Sequence, residues 1–278
     1  MGMGTYTLDG VPLDDPAGRW MLSDSTLLGP LPAPSLSAVK IPGIHGTVPT
    51  PPTTRDAGSH TVGLIVTDNN EAGAATGDHQ QMRKNLSALY ALATPVGRLP
   101  VLRYIPHLAV TPRDARVRLL AAIEPEMADP YTARITLPFD LPEVFWRESV
   151  EHTFASEAVA AWEASPDELN GSTGTIADPV FLCTGPMTSC VITDFATGKV
   201  LTWNGNVAAG QRLRLEPASM KAYRTVGEQW TGGTDVSGGL STGPGGFDLN
   251  PNAAGEIGWT LARTGAGVTQ ARVRRAFL

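Results

Sequence analysis

Apolar and polar positions alternate with period two along most of this chain, and a period of 3.6 surfaces only once in the N-terminal half. The opening residues Tyr6, Leu8, Val11 and Leu13 flank an Asp9-Gly10 pair, the strongest short-range signal for a β-hairpin. A short strand is expected around Trp20-Met21-Leu22. The stretch 59–68 puts His60, Val62, Leu64 and Val66 on one face of a strand. Between them lies a proline-dense run that includes Pro30, Pro32, Pro34, Pro42, Pro49, Pro51 and Pro52. It forbids a helix and favours an extended arm or loop.

The one helical period in this half covers 78–92. Met82, Leu86, Leu89 and Tyr90 form an apolar stripe, Asp78 is the N-cap, and Gln81 sits where a capping box needs it. Pro95 and Gly97 end it. A lone helix of this length is marginal in water, so it must dock on a sheet. Further strands are expected over 99–105, over 115–124 with Ala115, Val117, Leu119 and Ala121 on one face, and over 133–139 through Ile135, Leu137 and Phe139. A proline-aromatic cluster, 137–146, closes this half.

The second half is a series of short strands with turn residues about every 8–12 positions, the rhythm of a sandwich or jelly roll. Strands are expected over 150–154, 179–183, 190–193, 200–203, 211–216, 221–223, 256–261 and 268–277. Gly185-Pro186, Thr197-Gly198 and Asn204-Gly205-Asn206 read as turns. The patch 158–164 fits a helical turn or a strand. The glycine-rich tract 231–246 has no apolar period and reads as a protruding or mobile loop. The expected fold is mainly β. An N-terminal β-sandwich or barrel-like domain with one helix covers 1–148, and a C-terminal β-sandwich of jelly-roll type covers 149–278.

Composition narrows the function classes. With 278 residues and 42% hydrophobic content the chain can bury two cores. Charged residues reach only 17%, below the roughly 25% of ordinary soluble domains, as in surfaces that partners cover. A net charge of −6 gives no field for nucleic acid. No apolar run nears the roughly 20 residues of a membrane span. Positions 1–10 lack the features of a signal peptide, so synthesis in a cytoplasm is expected.

Candidate chemistry is sparse. His45, His60, His79, His107 and His152 are scattered, and no hydrolase, nucleotide-binding or metalloprotease motif occurs. Asp9, Asp14 and Asp15 lack the alternating oxygen ligands of a calcium loop. Glu124 and Glu126 are the nearest thing to a glycosidase carboxylate pair, and an ordinary loop explains them better. Trp162, Trp203, Trp230 and Trp259 fit core positions more readily than a sugar-stacking platform. Cys183 and Cys190 suit two small buried side chains on neighbouring strands; a hairpin disulfide or half a metal site are the other readings. Arg272, Arg274 and Arg275 suit a solvated strand face. No catalytic, cofactor-binding or metal-binding residue is assigned, and no enzyme activity is expected.

The order of these pieces resembles the distal tail protein family of long-tailed, non-contractile bacteriophages, the minor tail proteins of siphophages. The resemblance rests on the hairpin 6–13, the extended segment 41–50, the strand 61–66 leading into the single helix, and Leu141-Pro142-Glu143-Val144-Phe145-Trp146-Arg147. In the second half it rests on Ala177-Asp178-Pro179-Val180 and the Asp194 to Val200 hairpin turn. The proline run 49–52 and the glycine tract after Thr231 depart from the family pattern. What the resemblance implies is a homo-oligomeric ring, usually a hexamer, at the virion's tail tip, assembled in the host cytoplasm. N-terminal domains would form the ring around a lumen that DNA traverses. A galectin-like C-terminal sandwich would point outward. The implied partners are further copies of the chain, the tail tube protein and tail-tip hub proteins, with no membrane, no cofactor and no sequence-specific nucleic acid. The alternative is a lectin-like module that binds host cell-wall glycan.

Overall fold

The computed structural model describes residues 4–26, 57–106 and 111–278, with the backbone of four two-residue strands between 34 and 55. The chain divides into two compact units, Met1–Trp146 with Leu278 and Arg147–Phe277; the sequence had suggested 148/149. Both are built from antiparallel sheets.

In the first unit the hairpin forms as expected. Thr5–Leu8 pairs with Val11–Pro12, and Asp9 and Gly10 both take left-handed φ values, 49° and 83°, which a two-residue primed turn requires. The Asp9 carboxylate accepts from the Val101 amide at 2.9 Å and pairs with Arg98 at 2.7 Å. That ties the turn to Val101–Ile105, which runs beside Thr5–Leu8 and is followed in the same sheet by Arg113–Arg116. A second sheet is centred on Thr132–Leu141 and Gly58–Val66, paired without a break from Ala133↔Val66 to Leu141↔Gly58. Trp20–Leu22 and Arg118–Leu119 flank this pair. Period two places Val62, Leu64, Val66, Ile135, Leu137 and Phe139 in the core with Tyr6, Leu8 and Leu102.

One expected strand is two. The segment 115–124 leaves the first sheet after Arg116 and bends at buried Val117, whose amide donates to the Pro100 carbonyl. It joins the second sheet as Arg118–Leu119. The ladder stops at Pro138, whose carbonyl accepts from Leu120 but which has no N–H to give back. Ala121, expected inside, is exposed. Glu126–Asp129, read as loop, is a strand hairpinned onto Thr132–Leu141.

The helix runs His79–Ala93, and the Asp78 side chain accepts from the Gln80 amide at 2.8 Å. The capping box does not form, because the Gln81 amide turns to Asn85 at 3.0 Å. The buried stripe is Met82, Asn85, Leu89 and Ala93, with Leu86 and Tyr90 half-buried. Asn85 explains the rotation: its amide nitrogen donates to the carbonyls of Thr67 and Asn69, 2.8 Å each, satisfying the backbone that leaves Gly58–Val66. Asn85→Ala strands both carbonyls and is expected to lower unfolding free energy by about 2 kcal/mol, read by urea denaturation.

The proline-dense run is described only as Pro34–Ser35 pairing Thr54–Arg55 and Ala38–Val39 pairing Val48–Pro49. The rest of the expected arm, with His45, and also His107, lies outside the described residues.

The second unit is a two-sheet sandwich. One sheet orders His152–Ala155, Thr269–Val273, Val180–Thr184, Gln211–Glu216, Lys221–Val226 and Thr234–Asp235. The other orders Val159–Ala164, Trp259–Gly267, Met187–Asp194, Val200–Val207 and Leu240–Thr242. Phe181, Leu213, Leu215 and Ala271 from the first sheet and Ile192, Leu201, Trp203 and Trp259 from the second are buried. Val159–Ala164 proves to be an edge strand, and its burial has no clean alternation, which is why its period was ambiguous.

One turn reading and one loop reading fail here. Asn204-Gly205-Asn206 continues the strand to Val207. Gly205 is glycine because the Trp203 indole lies on it: a Cβ there would come within 2.5 Å of the ring. The glycine-rich tract is ordered as an edge, adding Thr234–Asp235 to one sheet and Leu240–Thr242 to the other. The Trp203 indole nitrogen donates to the Val236 carbonyl at 3.1 Å and pins the tract between them.

Candidate functional site

The fold disperses the carboxylates that might have done chemistry. Glu124 is exposed in a connection, and Glu126 is exposed on a strand opposite Arg134. Asp15 is buried against Arg19 at 2.9 Å, a hydrogen bond that holds its carboxyl below the ordinary range. Asp9 is likewise held down by Arg98, and Asp14 is exposed. Among the described residues no three His, Cys, Asp or Glu side chains gather where a metal ion would sit. Nor is any helix among them long and apolar enough to cross a membrane.

The histidines have separate structural settings. His79 Nδ1 lies 2.8 Å from the Pro130 carbonyl. His60 is buried between Tyr6 and Trp146, each 5.3 Å away by ring centroid, and neither ring nitrogen has a hydrogen-bond partner. Burial pushes that imidazole down to about 4 and the neighbouring Tyr6 phenol up to about 12. His152 Nε2 is 3.0 Å from Glu148, a carboxylate that is only 1% exposed and also receives Arg275.

The tryptophans make no open platform. Trp203 and Trp259 are sealed in the core, and Trp162 packs edge-on against Trp259 at 5.5 Å. Trp230 is covered by the Arg272 guanidinium, 3.9 Å above its ring. The basic C-terminal run is equally committed: Arg272 reaches Glu151, Arg274 reaches Asp178, and Arg275 reaches Glu148. Sequence reading missed these partners because they lie about a hundred positions away. Cys183 and Cys190 are buried free thiols on strands of opposite sheets.

The first unit carries most of the exposed apolar side chains among the described residues. Among the described residues eleven large apolar side chains stand exposed, and seven belong to this unit, Leu99, Leu120, Met127 and Tyr131 among them. A surface groove of about 380 Å³ runs between the end of the helix, at Tyr90 and Thr94, and Leu119, Ala121, Ala122 and Ile123. Leu120, 56% exposed, stands in the middle of that segment.

Comparison with known proteins addresses the architecture. No protein-family model and no curated protein matches the chain. Among solved structures, the crystal structure of SPP1 Dit (gp 19.1), described as a paradigm of the hub adsorption apparatus in Gram-positive infecting phages, aligns over 100% of both chains. The TM-score is 0.66 and the identity 13%. The chain has the fold of SPP1 Dit. The mainly β architecture expected from the sequence is the architecture observed. The phage P2 baseplate in its activated conformation with calcium also aligns, over 99% of this chain and 98% of that one. At a TM-score of 0.40 and 10% identity, that likeness is too weak to define a shared fold. At these identities the Dit fold is what the likeness to SPP1 Dit establishes, and function has to be argued separately.

Proposed function

We propose that this protein is a structural component of a bacteriophage tail tip, a distal tail protein that works by assembly and without catalysis. The observation that carries the reading is the end-to-end alignment with SPP1 Dit through both units. The N-terminal units close into a ring, usually a hexamer, that joins the tail tube to tip proteins, and the C-terminal sandwich carries or meets those partners. Ring closure needs head-to-tail interfaces in which two different patches of one chain meet. Each such interface buries on the order of 1,200 Å² or more. The apolar groove lined by Leu119, Ala121, Ala122 and Ile123, the exposed Leu120 within that segment and the low charged fraction of 17% suit that demand. The dispersed carboxylates and buried tryptophans support neither a hydrolase nor a lectin.

The test is oligomeric state. Light scattering and negative-stain imaging of the purified chain, alone and with a tail tube protein, should reveal closed rings. Leu120→Arg should shift the population toward monomer while leaving the melting temperature within about 2 °C, as for a surface site. A chain that stays monomeric under both conditions and is retained on a cell-wall glycan column overturns the reading in favour of the lectin.

A further inference from the structure

The two cysteines sit in a setting that plain core packing does not explain. Cys183 lies on Val180–Thr184 in one sheet and Cys190 on Met187–Asp194 in the other, joined through the Gly185-Pro186 turn. Their sulfurs face each other across the sandwich at 3.9 Å, and both side chains are fully buried. Each has a polar cross-strand neighbour on its own sheet face. Cys183 is in register with Thr269, and Cys190 with Arg263. Directly opposed residues of this kind have Cβ atoms about 5 Å apart.

Those neighbours are under-used. Arg263 is 7% exposed, and its Nη2 donates to the carbonyl of Thr184 and, at 3.4 Å, to that of Pro186. Its Nε and Nη1 have no hydrogen-bond partner, and neither does the buried Thr269 hydroxyl among oxygens and nitrogens. A buried guanidinium without a counter-charge is costly. A thiolate is the acceptor this cluster lacks. The two sulfurs share a hydrogen bond in which either can be the donor; with Thr269 and Arg263 it holds Cys183 below the ordinary thiol range although burial opposes it. The same bond, with burial, pushes Cys190 up.

We propose that Cys183 and Cys190 are a peroxide-sensitive dithiol that closes into a disulfide stapling the two sheets of the C-terminal sandwich. The oxidant is hydrogen peroxide, small enough to enter through the 184–188 turn, which borders a shallow depression lined by Pro186, Met187, Thr188 and Thr264. The Cys183 thiolate attacks one peroxide oxygen, the O–O bond breaks, and the departing hydroxide takes a proton to become water. The resulting sulfenic acid is attacked by the Cys190 sulfur; the S–O bond breaks and a second water leaves. Two thiols and one peroxide thus give one disulfide and two waters, sulfur being oxidised and peroxide oxygen reduced. Arg263 and Thr269 are positioning residues that favour the thiolate.

The experiment uses the full chain in peroxide, followed by denaturation, thiol titration and peptide mapping. The expected result is loss of both thiols, a Cys183–Cys190 linked peptide and, at peroxide doses that spare methionine, an intact mass lower by about 2 Da. Dithiothreitol should reverse all three, and the oxidised form should melt about 5–10 °C higher. Cys190→Ser should arrest the reaction at a dimedone-trappable sulfenic acid on Cys183. Arg263→Met should slow the reaction about ten-fold, and Arg263→Lys should restore part of the rate. Two titratable thiols surviving peroxide that fully oxidises the exposed methionines overturn the proposal, whatever the variants do. A linked peptide joining two chains overturns it too.

Discussion

Glu148→Ala is expected to lower unfolding free energy by about 3–5 kcal/mol, the cost of leaving the partner of a buried ion pair alone. Glu148 is 1% exposed and Arg275 grips it through two bonds, Nη2 at 2.6 Å and Nε at 2.8 Å. The hydrogen bond with Glu148 raises the Arg275 guanidinium above its ordinary range. His152 occupies a further position on the same carboxylate, and the Glu148 amide donates to the Arg275 carbonyl at 2.9 Å. One side chain therefore clamps the entering and leaving segments of the sandwich, 127 positions apart. Removing it leaves a half-buried cation with its strongest acceptor gone. Thermal and urea denaturation of the full chain check the loss, which should appear as a fall of about 10–20 °C in the transition of the second unit. The double replacement Glu148→Met with Arg275→Met should recover much of it, since a matched apolar pair removes both desolvation costs. A loss under about 1 kcal/mol in the single variant would mean that the clamp is idle.

Acid should weaken the first unit well before its carboxylates titrate. An unfolded histidine titrates near 6.5, whereas burial holds His60 down to about 4 in the folded chain. Between those values the unfolded chain binds more protons than the folded one, so stability falls as pH falls. The contribution is complete above about pH 6.5 and lost by about pH 4, and the gap corresponds to about 3 kcal/mol. Asp9 and Asp15, held low by Arg98 and Arg19, lose their contributions only below the ordinary carboxylate range, so the two windows separate. His60→Phe keeps a ring between Tyr6 and Trp146 and should flatten the slope between pH 6.5 and 4.5. Urea midpoints at half-unit pH steps read it directly. An unchanged slope in that variant would assign the acid sensitivity elsewhere.

How far the chain could be read in advance depended on whether the deciding interaction was local. The Asp9-Gly10 turn, the Asp78 cap and the alternation through Ile135, Leu137 and Phe139 all act within a few residues and stand where the pattern placed them. The helix was found but rotated, because carbonyls of Thr67 and Asn69 select Asn85 rather than Leu86 as a buried residue. The glycine tract was misread because its pairing uses backbone groups, which leave no mark on the apolar period. Gly205 looked like a turn because its reason is the indole of Trp203 and not its own backbone. The exposed Leu120 segment of the candidate site was not legible, since the sheet change at Val117 that exposes it depends on Pro100 and Pro138.

The strand order of the sandwich has a consequence of its own. His152–Ala155 and Thr269–Val273 are adjacent and antiparallel, so the unit's chain comes back to where it set out. Residues 156–268 form an excursion whose two ends are fixed side by side, with Val180–Thr184 bonded to the returning strand as well. Distal loops rooted this way can lengthen at an entropic cost of about 0.6 kcal/mol for each doubling. The unit's exposed connections can therefore grow or shrink while the paired strands at its two ends stay in place.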